Sequence, residues 1–160
     1  MSIKNVPKLK AGDTIAASMA SCYATIGDRR YNFMHMISLK ATIKKQKTKV
    51  PILGQPGKGN KSTGWAGEGE ATCHYNTSVL RQMAVQYAKT GEEMTIDIQI
   101  TNEDPTTSVG RQTTILRDVN FDDMIVAQFD ADGEYLDEDL SFTFDDVDMP
   151  EGFRLLDGML

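Results

Sequence analysis

The chain has 160 residues, of which 40% are hydrophobic, and its formal net charge is −6. This length predicts one domain with a modest core. Two cysteines, Cys22 and Cys73, are too few for a disulfide framework and suit a reducing, intracellular setting. No stretch approaches the ~20 apolar residues of a membrane span, and residues 1–13 lack the apolar core of a signal peptide.

The two ends of the chain are predicted to flank a single domain at residues 14–150. Residues 1–13 are Lys-rich and predict a flexible N-terminal arm, and residues 151–160 predict a C-terminal tail. Residues 14–26 contain Ala and Met, which are compatible with a helix. Their later part is nevertheless predicted as a strand, because a Gly27-Asp28 turn follows it.

A long strand followed by a long loop is predicted next. Residues 33–49 alternate in polarity, which places Ile37 and Ile43 on one apolar face. The far end, residues 44–49, is too polar to be core, and a strand that outruns its core usually projects and needs a partner. Residues 51–64 are rich in Gly, Pro and Lys and predict a projecting loop, which is long for a compact domain.

One helix is predicted, at residues 77–90, after a strand at residues 65–75. Asn76 or Thr77 can serve as its N-cap, and Gly91 stands where a glycine commonly ends a helix. An apolar stripe should pack against a sheet. The predicted stripe consists of Val79, Leu80, Met83, Ala84, Tyr87 and Ala88.

The second half of the chain predicts mainly strands. Residues 94–101 alternate between apolar and polar side chains, and further strands are predicted at residues 113–121, 125–130 and 140–147, with a loop at 102–110. Many short strands with one helix and no βαβ rhythm favour a mainly β fold. The predicted architecture is an antiparallel β-sandwich or partial barrel with one flanking α-helix.

A phosphate-binding loop is weighed and rejected. Gly54 and Gly59 have the separation of that motif, but Asn60 stands where its lysine belongs, and Lys61 comes one residue late. The residues after Lys61 do not resemble the start of a helix, which such a loop requires. A mobile basic loop is the preferred interpretation.

Metal sites are also disfavoured. Cys22, His35 and the adjacent Cys73-His74 lack the close spacing of zinc ligands. Residues 130–133 (DADG) resemble the start of a calcium loop, but the remaining ligand positions do not match, and an acidic turn is preferred. No nucleophile–base set is present either. We therefore predict no catalytic, cofactor or metal site, and a protein that is not an enzyme.

Charge is strongly segregated along the sequence. Residues 1–61 contain twelve Lys/Arg and two Asp/Glu, whereas residues 62–160 contain five Lys/Arg and twenty-one Asp/Glu. This asymmetry allows two hypotheses: nucleic-acid binding by the basic part, or contact between the basic end of one copy and the acidic end of another. Between Phe33 and Trp65 no aromatic residue accompanies the lysines, which disfavours base stacking.

Four segments carry a resemblance to a known family. They are a long strand with a Lys-rich end at residues 37–50 (ISLKATIKKQKTKV), a Gly-rich strand before the helix at residues 64–75 (GWAGEGEATCHY), and two late strands at residues 116–121 (LRDVNF) and 140–151 (LSFTFDDVDMPE). Together they resemble the tail tube protein of contractile phage tails and phage-tail-like bacteriocins, in the branch of Gram-positive bacteria and their defective prophages. The resemblance spans roughly residues 30–150.

This resemblance implies a structural protein that self-assembles into hexameric rings, stacked as the inner tube of a contractile tail. The implied partners are other copies, the tail sheath protein, and the baseplate and tape-measure proteins. DNA would be a passing cargo only, and no membrane binding is implied. The implied location is a virion tail or bacteriocin particle assembled in the bacterial cytoplasm. The alternative is a monomeric nucleic-acid-binding β-barrel module.

Opposite charges at the two ends of a subunit would favour head-to-tail stacking. Each exposed ion pair contributes only ~0.2–1 kcal/mol, but symmetric copies repeat the contribution. The predicted basic interface residues are Lys44, Lys47, Lys49, Lys58 and Lys61. The predicted acidic ones are Asp122, Asp123, Asp137, Glu138, Asp145 and Asp146.

Overall fold

Eight strands and one α-helix follow one another along residues 6–160, the part of the chain that this computed structural model describes. The first five residues of the predicted N-terminal arm lie outside that part. A short 3-10 turn at Ala11–Asp13 precedes the first strand. The elements are β1 (Ala20–Ile26), β2 (Arg29–Asn32), β3 (Met36–Val50), β4 (Gly59–His74), α1 (Val79–Thr90), β5 (Ile96–Glu103), β6 (Arg111–Phe121), β7 (Asp137–Phe144) and β8 (Asp146–Glu151).

The strands form one curled antiparallel sheet in the order β2-β1-β5-β6-β7-β4-β3, and β8 pairs with β6. Strand β6 pairs with β5 along most of its length, with β8 over residues 113–117 and with β7 only at its C-terminal end. The two ends of the sheet meet at the link between β2 and β3. There the Phe33 amide donates to the Cys22 carbonyl at 2.8 Å, and the His74 amide donates to the His35 carbonyl at 2.9 Å. The predicted mainly β, antiparallel fold with one flanking helix is confirmed.

The core lies inside this curl and draws on both ends of the sheet. Ile96 and Ile98 of β5 are buried, as their alternation predicts, and they share one cluster with Leu116, Leu140 and Phe142. Burial of such side chains typically contributes about 1.5–3 kcal/mol each. Most of the predicted strands therefore owe their position to one apolar face turned toward a common interior.

Helix α1 covers this core with its first half only. Leu80 and Met83 are buried, whereas Tyr87 and Ala88 of the predicted stripe are exposed, because the last turn borders an open groove. The helix begins two residues later than predicted, with Ser78 at the N-cap. Gly91 ends it in the left-handed conformation, as predicted (φ 71°). In the described residues no helix has the length and apolar character needed to cross a membrane.

Three further predictions are corrected. The predicted loop 51–64 ends at Lys58, because residues 59–64 pair with the far end of β3 and extend β4. Residues 125–130 form no strand, and β6 is instead flanked by β5, β7 and β8. The predicted apolar face of β3 is about half exposed at Ile37 and Ile43. Ile37 lies at a bulge in the pairing of β3 with β4, and Ile43 lies on the edge strand of the sheet.

Two glycines of β4 allow phenylalanine rings to lie flat across the strand. Gly67 pairs with Phe144 and Gly69 pairs with Phe142. A Cβ atom on residue 69 would contact the Phe142 ring and lie 2.9 Å from the backbone oxygen of Lys40, so neighbouring atoms would have to move. A similar clash with Phe144 applies at residue 67. These glycines therefore serve packing rather than chain flexibility.

We expect Gly69→Ala to lower the free energy of unfolding by about 1–3 kcal/mol, the usual range for overpacking a filled core. The measurement is urea-induced unfolding at a concentration where the chain is monomeric. Gly57→Ala is the control, because nothing lies within 4 Å of a Cβ atom placed there. Equal stability of the two variants would show that Phe142 can move aside without cost.

Candidate assembly interface

The far ends of β3 (residues 45–50) and β4 (residues 59–65) form a two-stranded ribbon that extends beyond the rest of the sheet. Strand β7 pairs with β4 only over residues 67–74, so residues 59–66 of β4 have β3 as their partner. At ~3.3 Å per residue the ribbon projects by roughly 20 Å. Every residue from 41 to 58 is exposed. An isolated two-stranded hairpin is marginally stable in water, so this ribbon is a candidate for contact with a partner.

The predicted basic residues lie on or near this ribbon. Lys44 stands at its base and forms an ion pair with Glu68 of the same subunit at 3.0 Å. Lys47 and Lys49 lie on β3, Lys58 directly precedes β4, and Lys61 lies on β4. All are exposed, and within residues 6–160 the last four form no ion pair. The ribbon therefore presents positive charge that its own subunit does not neutralise.

The predicted acidic residues fall into two groups. Asp122 and Asp123 follow β6, and Asp145 and Asp146 lie where β7 passes into β8; all four are exposed. Asp146 accepts a hydrogen bond from the Val147 amide at 2.8 Å. These residues remain available to a second copy, and their role at an interface stays a prediction.

Asp137 and Glu138 have partners inside the subunit. Asp137 lies on the outer face of β7, where its carboxylate is 3.0 Å from His74 Nδ1. Glu138 is 1% exposed and forms an ion pair with Arg81 of α1. The prediction of an interface role is therefore wrong for Glu138. Strand β7 starts at Asp137, and its alternation turns residue 138 inward with Leu140.

Arg81 joins four parts of the fold around this buried carboxylate. Its Nη1 atom donates to Glu138 Oε2 at 3.0 Å and to the Ile125 carbonyl at 2.9 Å, and Nε donates to the Thr77 carbonyl at 3.0 Å. The guanidinium lies 4.1 Å from the centre of the Tyr75 ring. The hydrogen bonds to Glu138 raise the pKa of Arg81 above its ordinary value. This pair fixes the helix and the irregular segment after β6 to the sheet.

The remaining sequence candidates carry no metal or phosphate geometry. Cys73 is buried and its thiol contacts Glu138 Oε1 at 3.5 Å, while His74 is exposed on the opposite face of the strand. Burial raises the pKa of the Cys73 thiol to about 12, so it is protonated at neutral pH. Lys61 lies in a strand and not at a helix start. Within residues 6–160 no cluster of three metal-binding side chains occurs.

His35 predicts a pH dependence of stability. Its side chain is buried, and its Nε2 atom has no hydrogen-bond partner in the described residues. Its ring packs edge-on against the ring of Phe33, with 5.1 Å between the two ring centres. Burial lowers the pKa of His35 below 6.5, with Arg81 and His74 acting in the same direction and Glu138 opposing them. Below pH 6.5 the unfolded chain therefore binds a proton that the folded chain resists, and stability should fall with the pH.

We expect the free energy of unfolding to decrease between about pH 7 and pH 5, and His35→Phe to decrease less steeply over this interval. The measurement is urea unfolding at several pH values. His74→Gln is the control, because it keeps the buried His35 ring and removes an exposed imidazole whose effect on the pKa of His35 is smaller than that of burial. Parallel curves for the parent chain and His35→Phe would contradict the assignment.

A known protein family and two known proteins match this chain in sequence. The profile of the phage tail tube protein family matches residues 7–151. Phage-like element PBSX protein XkdM of Bacillus subtilis (strain 168) is 36% identical over 117 residues, which cover 73% of this chain and 80% of that protein. The uncharacterized protein YqbM of the same strain is 36% identical over 120 residues, with coverage of 75% and 82%.

Two solved structures have the same fold at low sequence identity. A chain in the cryo-EM structure of the anti-feeding prophage baseplate has a TM-score of 0.63 and 14% identity, with coverage of 92% of this chain and 99% of that one. A chain of the PVC sheath–tube complex, an extracellular contractile injection system in the extended state, has a TM-score of 0.59 and 13% identity, with coverage of 80% and 86%. Together with the profile match, the sequence relatives show that the chain belongs to the phage tail tube protein family, a family of structural tail components and not of enzymes.

Proposed function

We propose that this chain assembles into hexameric rings, and that the rings stack into the hollow inner tube of a contractile tail or phage-tail-like particle. The partners in this proposal are other copies of the chain, a surrounding sheath protein, and baseplate and tape-measure proteins. DNA passes through the tube only if the particle is a true phage. Assembly takes place in the bacterial cytoplasm. Family membership favours this function over a monomeric nucleic-acid-binding module.

The observation that carries the proposal is the ribbon of residues 45–50 and 59–65. Its side chains are exposed, with the intermediate Gly59 as the exception, its outer edge on β3 lacks a strand partner, and its lysines lack counter-charges in the described residues. An open edge of this length is a hazard for a soluble monomer, because it can pair with other chains. In a closed ring of subunits the same edge becomes a contact and the hazard disappears.

Opposite charge supports contact between copies. Within residues 6–160 the ribbon lysines form no ion pair, and Lys44 at the base of the ribbon pairs with Glu68, while Asp122, Asp123, Asp145 and Asp146 remain exposed. We propose that these two sets meet between subunits. A single exposed pair contributes ~0.2–1 kcal/mol, so six-fold repetition would be needed for charge to set the register.

Negative-stain imaging and hydrogen exchange, measured on the dilute monomer and on the assembled tube, test the proposal. Images of concentrated protein should show rings or tubes whose wall is about one subunit thick. Backbone amides of residues 45–65 should exchange fast in the dilute monomer and slowly in the tube, because a neighbouring copy covers them. A protein that stays monomeric at high concentration would refute the assembly itself. Tubes in which residues 45–65 exchange as fast as in the monomer would remove the ribbon from the interface.

A further inference from the structure

A groove of about 280 Å³ lies beside the second half of α1 and is lined both by apolar side chains and by the polar Glu93, Asn120 and Asp122. Its floor contains the buried Met83 and Phe121, and its walls contain Tyr87, Met94 and Met124. Tyr87 is 50% exposed, so the groove opens to solvent along the helix. Methionine side chains are unbranched and adapt to different partners, which suits a surface that receives another apolar group.

The rim of this groove is acidic. Glu93 and Asp122 are the charged residues among those that line it, and the exposed Asp123 follows directly. Asn120 donates to Glu93 Oε1 at 3.5 Å, and neither Glu93 nor Asp122 forms an ion pair within residues 6–160. The volume is below the ~300–1,000 Å³ typical of small-molecule sites. The groove thus suits one or two apolar side chains that arrive with positive charge.

The tip of the ribbon has that chemistry. Leu53 is fully exposed and Ile52 is 47% exposed, although both are aliphatic. A turn holds them in place, with the Gln55 amide donating to the Ile52 carbonyl at 3.2 Å. Lys49 and Lys58 stand on either side of the tip and form no ion pair within the described part of the chain. An exposed aliphatic pair between two lysines complements a groove that combines methionine and aromatic side chains with two carboxylates.

We propose that the ribbon tip of one copy docks into the methionine-lined groove of a second copy. Ile52 and Leu53 cover the apolar floor, while Lys49 and Lys58 approach the acidic rim at Glu93 and Asp122. The contact requires a second copy, because Leu53 is fully exposed within its own subunit. This proposal rests on the proposed function and names the surface through which two copies would meet.

Two chains with one new cysteine each provide the test. Leu53→Cys is mixed with Tyr87→Cys at high protein concentration under mild oxidation, and disulfide-linked dimers are measured on non-reducing gels. Val85→Cys replaces Tyr87→Cys in the control, because Val85 is on the same helix and 41% exposed but does not line the groove. The parent chain gives the background from Cys22, which is half-buried, and Cys73, which is buried.

The expected result is a several-fold higher yield of mixed dimer for Tyr87→Cys than for Val85→Cys. Leu53→Asp, which alters an exposed residue and should leave the monomer folded, should abolish assembly or weaken it several-fold. Equal yields for the two helix positions in a preparation that forms tubes would overturn the docking and leave the proposed function intact. Preferential linkage at Tyr87→Cys without tubes would support the docking and refute the stacked tube. Neither linkage nor tubes would refute both.

Discussion

Glu138→Leu is expected to lower the free energy of unfolding by about 3–5 kcal/mol, because it leaves the Arg81 guanidinium in a buried site without its counter-charge. Both side chains are almost removed from solvent, with 12% of Arg81 and 0% of Glu138 exposed. The measurement is urea unfolding of the monomer, followed by circular dichroism. Arg81→Met should cost a similar amount, since the Glu138 carboxylate then remains buried alone.

The double variant, Arg81→Met with Glu138→Leu, distinguishes the contribution of the ion pair from that of the hydrogen bonds around it. Replacing a whole buried ion pair by apolar residues is often neutral or stabilising by about 1–4 kcal/mol. Here the Thr77 and Ile125 carbonyls also lose their donor, at a cost of ~1–3 kcal/mol for each carbonyl left unsatisfied. We therefore expect Arg81→Met combined with Glu138→Leu to be more stable than either single variant but no more stable than the parent.

The neighbouring carboxylate is the matched control for this experiment. Asp137 lies on the opposite face of β7 and pairs with the half-exposed His74. Asp137→Leu should cost at most ~1 kcal/mol, the usual limit for exposed pairs. If Glu138→Leu and Asp137→Leu unfold at the same urea concentration, the buried pair does not hold α1 to the sheet in the way that its geometry indicates.

The incorrect prediction for Glu138 shows the limit of what a local sequence pattern can predict. Residues 140–144 (LSFTF) alternate strictly between apolar and polar side chains, and extending the predicted strand by three residues would have placed Glu138 on the same face as Leu140 and Phe142. The extension itself carried no apolar signal, because residues 137–139 (DED) are all acidic. A buried carboxylate also needs a partner, and Arg81 is 57 positions away in sequence. That contact depends on how α1 crosses the sheet, which periodicity does not encode.

Other elements separate local from long-range information in the same way. The alternation in β5 and the glycine after α1 are local signals, and both predictions are confirmed. Residues 59–64 are composed like a loop, and they become a strand because Lys47, Thr48, Lys49 and Val50 offer them hydrogen-bonding partners. Residues 125–130 have apolar side chains, yet Val126 and Phe129 are exposed in an irregular segment. Which segment pairs with an edge is decided by the whole sheet.

The candidate interface also combines features that local sequence predicts with features that only folding creates. Sequence identified the basic residues and their projection beyond the core, because charge and polarity are local properties. It did not identify Glu68 as the partner of Lys44, or the groove between Tyr87 and Met94, because both arise from residues brought together by folding. The surplus of methionines near the groove could have raised that possibility, but their spacing gave no reason to connect them.

Lys47→Glu combined with Lys49→Glu is expected to prevent tube assembly at concentrations where the parent assembles, and to leave the monomer folded. Both lysines are exposed on the ribbon, so their reversal changes no contact of the core. In the proposed contact, reversal converts attraction into repulsion at two sites of each subunit. At ~0.2–1 kcal/mol for each pair, this amounts to roughly a tenfold higher assembly concentration or more. Sedimentation and negative-stain imaging across a concentration series provide the measurement.

Salt dependence and a second charge reversal away from the ribbon test whether the loss of assembly is caused by the charge of the ribbon. Screening reduces the reach of exposed charges from ~8 Å at physiological salt to ~3 Å at 1 M, so high salt should weaken parent assembly and narrow its difference from the variant. Arg29→Glu combined with Lys89→Glu changes the net charge equally, away from the ribbon, and should assemble like the parent. Nucleic-acid affinity is measured on the same preparations. Intact tubes with abolished nucleic-acid binding in the ribbon variant would show that these lysines bind nucleic acid and do not join subunits.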